Sequence, residues 1–403
     1  MKVLLVSLNR ESEPFTAAPI GLALVGSSLK EAGHEVSVLD LLFSDDPAGD
    51  LKKAVLGFEP GLIGLSIRNI ESSTEFLMPR YRELVQGLAA YTDAPVAAGG
   101  PAFSIMPRQA LSYLGLKYGV AGEGEAAAVG LARALETGAD PASVPGVCTL
   151  DNGEFSLMPG APIEGSALKS PDWSLLPVHR YDMVGVQSKR GCSFSCIYCT
   201  YPSLEGRRMR LRNPGEVAGE MESAVAAGIK APFYFVDNVF NNPRGHAEDI
   251  CDEMVRRGVE VSWGCLATPS GLDKGLIHKM KSAGCESLEI GADSLSGRML
   301  KGLGKNFTPQ DVERAVAACK ETGTMHMVFL ILGGPGEGED TLSETFEALE
   351  SLSPDKVFAV SGVRIYPGTP IAARAEAEGL TSPGQDLLAP AFYVSERLGD
   401  RLY

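Results

Sequence analysis

The stretch Lys189–Tyr201, KRGCSFSCIYCTY, decides how the rest of the chain is read. It carries Cys192, Cys196 and Cys199 in C-x3-C-x2-C spacing, on a loop that also holds Gly191, Ser193 and Ser195. Three thiolates this close can fold around one metal centre. Cysteine accounts for only 8 of 403 residues, so coincidence explains the grouping poorly. Buried core cysteines would sit on an apolar strand, whereas this loop has Lys, Arg, Gly and two Ser. A closed zinc site wants four ligands, and no His or fourth Cys lies close by. A four-iron cube held by three cysteines leaves one iron free for a small chelating molecule, and that reading fits best.

On these residues the chain resembles the radical S-adenosylmethionine enzymes, whose signature has this spacing. Tyr198 fits, since that family carries an aromatic residue just before the last cysteine, near the adenine of its cofactor. The resemblance implies a [4Fe-4S] cluster ligated by Cys192, Cys196 and Cys199, with S-adenosylmethionine on the open iron. It says nothing of the substrate.

The bulk numbers set bounds. A chain of 403 residues suits two domains. Hydrophobic content of 44% with 22% charged residues is that of a globular protein. A net charge of −15 argues against a nucleic-acid-binding surface, which would need a basic face. The opening MKVLLVSLNR has too short an apolar run for a signal sequence, and no stretch is apolar for the roughly 18 residues that cross a bilayer. A cytoplasmic protein without membrane contact is expected. Eight cysteines in a chain this long make no disulfide framework. Cys148, Cys251, Cys265, Cys285 and Cys319 are scattered singly and read as small buried hydrophobes.

From the N-terminus, strand and helix alternate. Strands are predicted at Lys2–Leu8, Glu35–Leu39, Leu62–Ile67, Pro95–Ala98 and Tyr118–Val120. Helices are predicted at Ile20–Ala32, Asp50–Gly57, Thr74–Tyr91 (interrupted near Pro79), Pro107–Leu114 and, after Gly122-Glu123-Gly124-Glu125, to about Glu136. This is the pattern of a doubly wound, Rossmann-like parallel sheet, which binds ligands at the C-terminal ends of its strands. Those ends are Asn9–Ile20, Ser66–Ser73, Gly99–Phe103 and Gly122–Glu125. Their Gly, Ser and Asn content lets backbone approach a large flat ligand.

The order of these loops resembles the cobalamin-binding domain that precedes many radical S-adenosylmethionine enzymes. The matching pieces are PIGLALVGSSLKEAGHEVSVLD, IGLSIRN, AAGGPAFSIMP and VAGEGEAA. The resemblance implies cobalamin contacts from Ser66, Arg68, Asn69, Gly99, Gly100, Pro101, Gly122 and Glu123. The D-x-H-x-x-G motif that supplies a cobalt-coordinating His in many cobalamin proteins is missing. His34 reads as a surface residue at a helix end. Cobalt would then have no His ligand, and Arg68 is placed to cover its lower face, a placement similar to that in the tryptophan C2-methylating members.

Residues 146–182 hold five prolines counting Pro145, and read as a linker with a β-hairpin around Asp151-Asn152-Gly153. From Met183 regular strand–helix units resume. Strands are predicted at Val184–Ser188, Phe233–Val236, Glu260–Gly264, Ser287–Ile290, His326–Leu332 and Val357–Val360, with a continuation at Val363–Tyr366. Helices are predicted at Pro214–Ala227, Pro243–Arg257, Asp273–Ala283, Pro309–Thr322 and Glu339–Ser351. Six units make a partial (β/α)6 barrel of TIM type, with its site at the C-terminal strand ends. The domains expected are 1–145, a linker 146–182, a barrel 183–372 and a short helix and tail 373–403.

Carried over residue by residue, the resemblance implies Asp237 and Asn238 at the cofactor's amino group, where the family usually has Gly-Gly-Glu. It puts Glu289 and Ser294 at the ribose, Lys305 near the carboxylate, and Gly333 and Gly334 beside the adenine. Trp263-Gly264-Cys265 is expected to end the third strand. The implied activity is methyl transfer from cobalamin to a carbon centre after reductive cleavage of S-adenosylmethionine. The acceptor would be a peptide, a protein or a small molecule, with a ferredoxin or flavodoxin as electron donor. The short, acidic, Ala- and Gly-rich chain brings to mind the glutamine C-methyltransferase of methyl-coenzyme M reductase. A rearrangement or cyclisation without methyl transfer is the alternative enzyme. A non-catalytic corrinoid or iron–sulfur carrier would have degenerate strand ends, and these are not degenerate.

Overall fold

The computed structural model describes residues 1–13, 15–72 and 75–398. They form two compact units. The first is Met1–Ile163, Leu168–Met183 and Leu388–Pro390; the second is Glu164–Ala167, Val184–Leu387 and the described residues from Ala391 on.

In the first unit β1 (Lys2–Ser7), β2 (Glu35–Asp40), β3 (Leu62–Ser66), β4 (Val96–Gly99) and β5 (Tyr118–Val120) form a parallel sheet in the order β2-β1-β3-β4-β5. β1 is apolar from Val3 to Val6 because it lies inside the sheet with both faces covered, and Val3, Leu4 and Val6 are fully buried. The connecting helices are α1 (Ile20–Glu31), α2 (Pro47–Phe58), α3 (Met78–Leu88), α4 (Pro101–Ile105), α5 (Pro107–Leu114) and α6 (Gly124–Thr137). Leu22 and Leu29 of α1 and Leu131 of α6 share one core with Val3, Leu5 and Leu62.

Two helix starts differ from expectation. α2 begins three residues before Asp50, because the Asp46 carboxylate accepts the Gly49 N–H at 3.0 Å and Pro47 suits a first turn. Pro79 likewise sits in the first turn of α3, so it starts that helix rather than interrupting it. Thr74, expected at its beginning, lies outside the described residues.

The hairpin forms where expected. Asn152 (φ 49°) and Gly153 (φ 85°) turn β6 (Val147–Asp151) into β7 (Glu154–Leu157). β6 also pairs antiparallel with β5, so the hairpin extends the sheet to seven strands and belongs to the first unit. Residues 168–183 fold back onto that unit as well. The Tyr181 hydroxyl donates to Asp40 at 2.6 Å, and Asp182 accepts from the Thr16 N–H at 2.9 Å. The region read as a linker therefore consists largely of ordered parts of the first unit.

The second unit starts with β8 (Val184–Val186). β9 (Lys189–Arg190) and β10 (Arg210–Leu211) pair antiparallel around the cysteine loop and α7 (Tyr201–Leu204). Then follow α8 (Pro214–Ala226), β11 (Phe233–Phe235), α9 (Arg244–Arg257), β12 (Trp263–Ala267), α10 (Lys274–Ser282), β13 (Cys285–Asp293), α11 (Gly297–Gly302), α12 (Pro309–Thr322), β14 (Met325–Leu332), α13 (Glu339–Leu352) and β15 (Lys356–Ser361). β8, β11, β12, β13, β14 and β15 are parallel neighbours in chain order, the open six-strand arc of a partial barrel. β16 (Val363–Arg364), α14 (Pro370–Ala377) and β17 (Phe392–Tyr393) close the unit. β12 lies later than expected and ends at Ala267, not at Cys265. Trp263 fixes it there: its indole N–H donates to the Ala283 carbonyl at 2.7 Å, and its ring packs on Phe235 and Phe240. Among the described residues no helix is long and apolar enough to cross a membrane.

Candidate functional site

The cysteine loop leaves β9 at the C-terminal end of β8 and is tied down along its length. Gly191 N–H donates to Glu205 at 2.9 Å, and Cys192 N–H to the Gly206 carbonyl at 3.0 Å. Ile197 N–H donates to the Leu303 carbonyl at 3.1 Å, and the Ile197 carbonyl accepts from Ile371 N–H at 3.0 Å. Gly304 sits with φ +74° so close that a Cβ there would lie 2.5 Å from the Ser195 carbonyl oxygen. Cys192 is buried and Cys196 and Cys199 are half-buried; all three are free thiols. Burial raises the Cys196 thiol and pushes Cys199 up to about 11; Cys192 raises both further, and Cys196 raises Cys199.

Asp237 lies at the end of β11 as expected, but its carboxylate is fully engaged by the protein. One oxygen accepts Ser188 N–H at 2.8 Å and Lys189 N–H at 3.2 Å; the other accepts the Ser188 hydroxyl and Lys189 Nζ at 3.1 Å. It is a buried anchor for the start of the cysteine loop, and no acceptor position is left for an ammonium. Asn238 donates to Glu205 at 2.9 Å, while its Oδ1 is buried without a partner. Glu205 and Lys189 were not singled out from sequence, and no spacing rule would have found them. Glu289 is half-buried on β13 and accepts the Tyr234 hydroxyl at 2.6 Å; burial raises its carboxyl.

Ser294 is buried at 1% exposure. Its hydroxyl bonds Thr345 at 3.0 Å and accepts Ser296 N–H at 3.1 Å, so it braces α13 and is closed to a ribose. Lys305 is likewise engaged: its ammonium pairs with Asp293 at 2.6 Å and donates to the Tyr198 hydroxyl at 3.0 Å, while that hydroxyl donates to Asp293. The carboxylate expected of the cofactor is replaced here by an internal one. Gly333 and Gly334 follow β14, and both N–H groups donate to Glu337 Oε2. Glu337 Oε1 is buried without a partner.

In the first unit the strand order reverses between β1 and β3, which opens a crevice at their C-terminal ends. Asn9 is buried there, its Oδ1 unpartnered. Ser66 ends β3, and Arg68 follows, exposed. The Asn69 carbonyl accepts the Tyr81 hydroxyl at 3.1 Å. Gly99 ends β4 and Pro101 opens α4. Gly100 has φ +100°, and a Cβ on it would lie 2.6 Å from the Ile67 carbonyl oxygen. Gly122 N–H donates to Ser104 at 2.9 Å. Glu123 accepts Ile163 N–H at 2.7 Å and so holds the chain's own backbone. His34, expected at the surface, is instead buried at 7% exposure just before β2, at the N-terminal end of the strands, because it packs against the chain's first residue, 3.3 Å from the N-terminal amine.

These residues fit the groups the sequence implies. Cys192, Cys196 and Cys199 are free thiols on one tied-down loop and would hold a cube, which takes one cysteine on each of three irons. The orphaned Oδ1 of Asn238 and Oε1 of Glu337 lie at strand ends where S-adenosylmethionine's polar groups would be received. Glycine backbone at 99–100 and the Asn9 amide oxygen suit a broad, hydrogen-bonding ligand such as cobalamin.

Comparison with known proteins agrees. Residues 186–349 match the radical SAM superfamily and residues 8–132 the B12 binding domain. An uncharacterized methyltransferase of Pyrococcus horikoshii is 27% identical over 384 residues, covering 92% of this chain and 82% of the relative. Tryptophan 2-C-methyltransferase of Streptomyces laurentii is 27% identical, over 91% of this chain and 73% of that protein. The structure of the radical S-adenosylmethionine methyltransferase TsrM from Kitasatospora setae, with cobalamin and a [4Fe-4S] cluster bound, superposes with a TM-score of 0.85 at 27% identity, over 97% of this chain and 78% of that one. The cobalamin-dependent enzyme OxsB shares the fold at 17% identity and a TM-score of 0.81. Radical SAM and B12 binding domains matched in one chain, with methyltransferases as its relatives over most of its length, lead to one assignment: the protein belongs to the cobalamin-dependent radical S-adenosylmethionine methyltransferases.

Proposed function

We propose that the protein methylates a carbon atom, and that an indole-type ring is the acceptor class to test first. The observation that carries this reading is Arg68, exposed at the switch point of the first unit, with no ion pair among the described residues. A guanidinium there would cover the lower face of cobalt where other cobalamin proteins place a His. The likeness to Tryptophan 2-C-methyltransferase supports the acceptor class, since that protein's name gives tryptophan and its C2 carbon.

When bound, the cluster, S-adenosylmethionine and cobalamin supply the electron, the methyl group and its carrier. The chain's own residues bind and orient them and exclude water. Cys192, Cys196 and Cys199 would hold the cluster. Asn238, Glu289 and the Gly333–Gly334 backbone would receive S-adenosylmethionine, with Tyr198 beside the adenine. Ser66, Arg68, Asn69, Gly99, Gly100, Pro101 and Gly122 would frame cobalamin. A ferredoxin or flavodoxin would deliver electrons. Ring closure without methyl transfer is the second reading, because the chain is also 24% identical, over 88% of its length, to the anaerobic magnesium-protoporphyrin IX monomethyl ester cyclase of Rubrivivax gelatinosus.

The test is anaerobic turnover with CD3-labelled S-adenosylmethionine and tryptophan, indole peptides or glutamine peptides of methyl-coenzyme M reductase, read by mass spectrometry. A product 17 mass units heavier, with the label on carbon, is expected. Products that never carry the label would sink the methyl-transfer reading, and label only on glutamine peptides would move the acceptor class.

A further inference from the structure

A buried charge pair touches the cluster loop without being a ligand. Lys305 and Asp293 are 2.6 Å apart, with side chains 8% and 6% exposed. Asp293 ends β13 at φ +65°, where the β13–β14 register shifts, so the strand's own irregular end aims this carboxylate. Lys305 follows Leu303 and Gly304, the two residues docked on Ile197 and Ser195 of the cysteine loop. The ammonium also lies 5.5 Å from the centre of the Tyr198 ring, between Ile197 and Cys199 in sequence.

We propose that Lys305 and Asp293 are positioning residues that set the reduction potential of the cluster held by Cys192, Cys196 and Cys199. The inference rests on the cluster assignment and goes beyond it. Reduction adds one electron to a centre already surrounded by thiolates, so its cost depends on fixed charges nearby. Low dielectric makes a buried charge count for more than an exposed one. The Tyr198 hydroxyl accepts from Lys305 at 3.0 Å and donates to Asp293, so both charges are held against a residue that lies between Cys196 and Cys199 in the loop. The Lys305 cation favours the reduced cluster and the Asp293 carboxylate opposes it. Because the two are paired, the net field is small and can be tipped either way by removing one member.

The experiment is redox titration of the reconstituted, cobalamin-loaded full chain, with dithionite as the one-electron reductant and the EPR signal of the reduced cluster as readout. Lys305→Met leaves a carboxylate alone beside the cluster, and the potential falls. The expected size is at least about tenfold in the equilibrium constant for reduction, about 59 mV for one electron. Asp293→Asn leaves the cation alone, and the potential rises. The double variant returns towards wild type, and Lys305→Arg stays close to it. Iron and sulfide contents show which variants keep the cluster. Shifts of the same sign in both single variants, or none in variants that keep their iron, overturn the proposal. Loss of the cluster from every variant, Lys305→Arg included, assigns the pair a purely structural role and overturns it too. Cluster assembly in the wild type is read separately, so failure of the underlying assignment is distinguishable.

Discussion

Asp237 shows how one residue can be correctly placed by sequence and wrongly employed. Its strand end was legible; its partners were not, because Ser188 and Lys189 lie about fifty positions away and only the folded barrel brings them together. The pair it makes with Lys189 is buried on both sides, at 0% and 3% side-chain exposure. Asp237→Asn leaves a cation without its counter-charge and is expected to cost about 3–5 kcal/mol. Denaturant unfolding with iron content measured in parallel checks this, and an unchanged midpoint would refute the anchor role. Glu289 gives a pH prediction. Burial raises its carboxyl above the ordinary 4.5, so the folded protein holds that proton more tightly than the unfolded chain. The associated stability is complete below the unfolded value and is lost as pH rises through the folded one. Glu289→Gln keeps an acceptor for Tyr234 and has no proton to lose. Its stability relative to wild type should therefore increase from acid to neutral pH; parallel denaturation curves across that range would contradict it.

At the scale of elements, β15 stands apart. Among the described residues it pairs only with β14, and all six of its own are exposed, Val357, Phe358 and Val360 among them. An open, apolar edge without proline invites pairing between molecules. Phe358→Lys is expected to reduce concentration-dependent association in light scattering while changing stability by less than about 0.5 kcal/mol. The strands of both units were legible because apolar runs of five or six residues alternate with helical periodicity. The late start of β12 was not, since it is set by Trp263 reaching Ala283 and two phenylalanines. α11 was missed because GRMLKG has neither cap nor length, and it is held by burying Met299 and Leu300. Four of the five cysteines scattered in sequence share one region of the second unit: Cys265 lies against Cys285, and Cys251 and Cys319 are near Cys285. Their burial was foreseen; their gathering was not, as it depends on α9, β12, β13 and α12 meeting. Burial holds the Cys251, Cys265 and Cys319 thiols protonated, Cys319 up to about 12, which keeps them unreactive.

Across the whole molecule, each compact unit holds one of the two tryptophans, Trp173 in the first and Trp263 in the second. Trp263→Phe leaves Trp173 as a reporter for the first unit. Cobalamin at one hundred times its dissociation constant should then raise that unit's unfolding free energy by about 2.7 kcal/mol. A fluorescence midpoint that does not move with cobalamin would count against a corrin site in this unit. One further consequence follows from the ties on the cysteine loop, which reach forward to Leu303 and to Ile371. A ribosome that has just released Cys199 must still add more than a third of the chain before both clasps exist. Iron delivered to a nascent polypeptide before residue 371 has been added would meet a loop without both clasps in place.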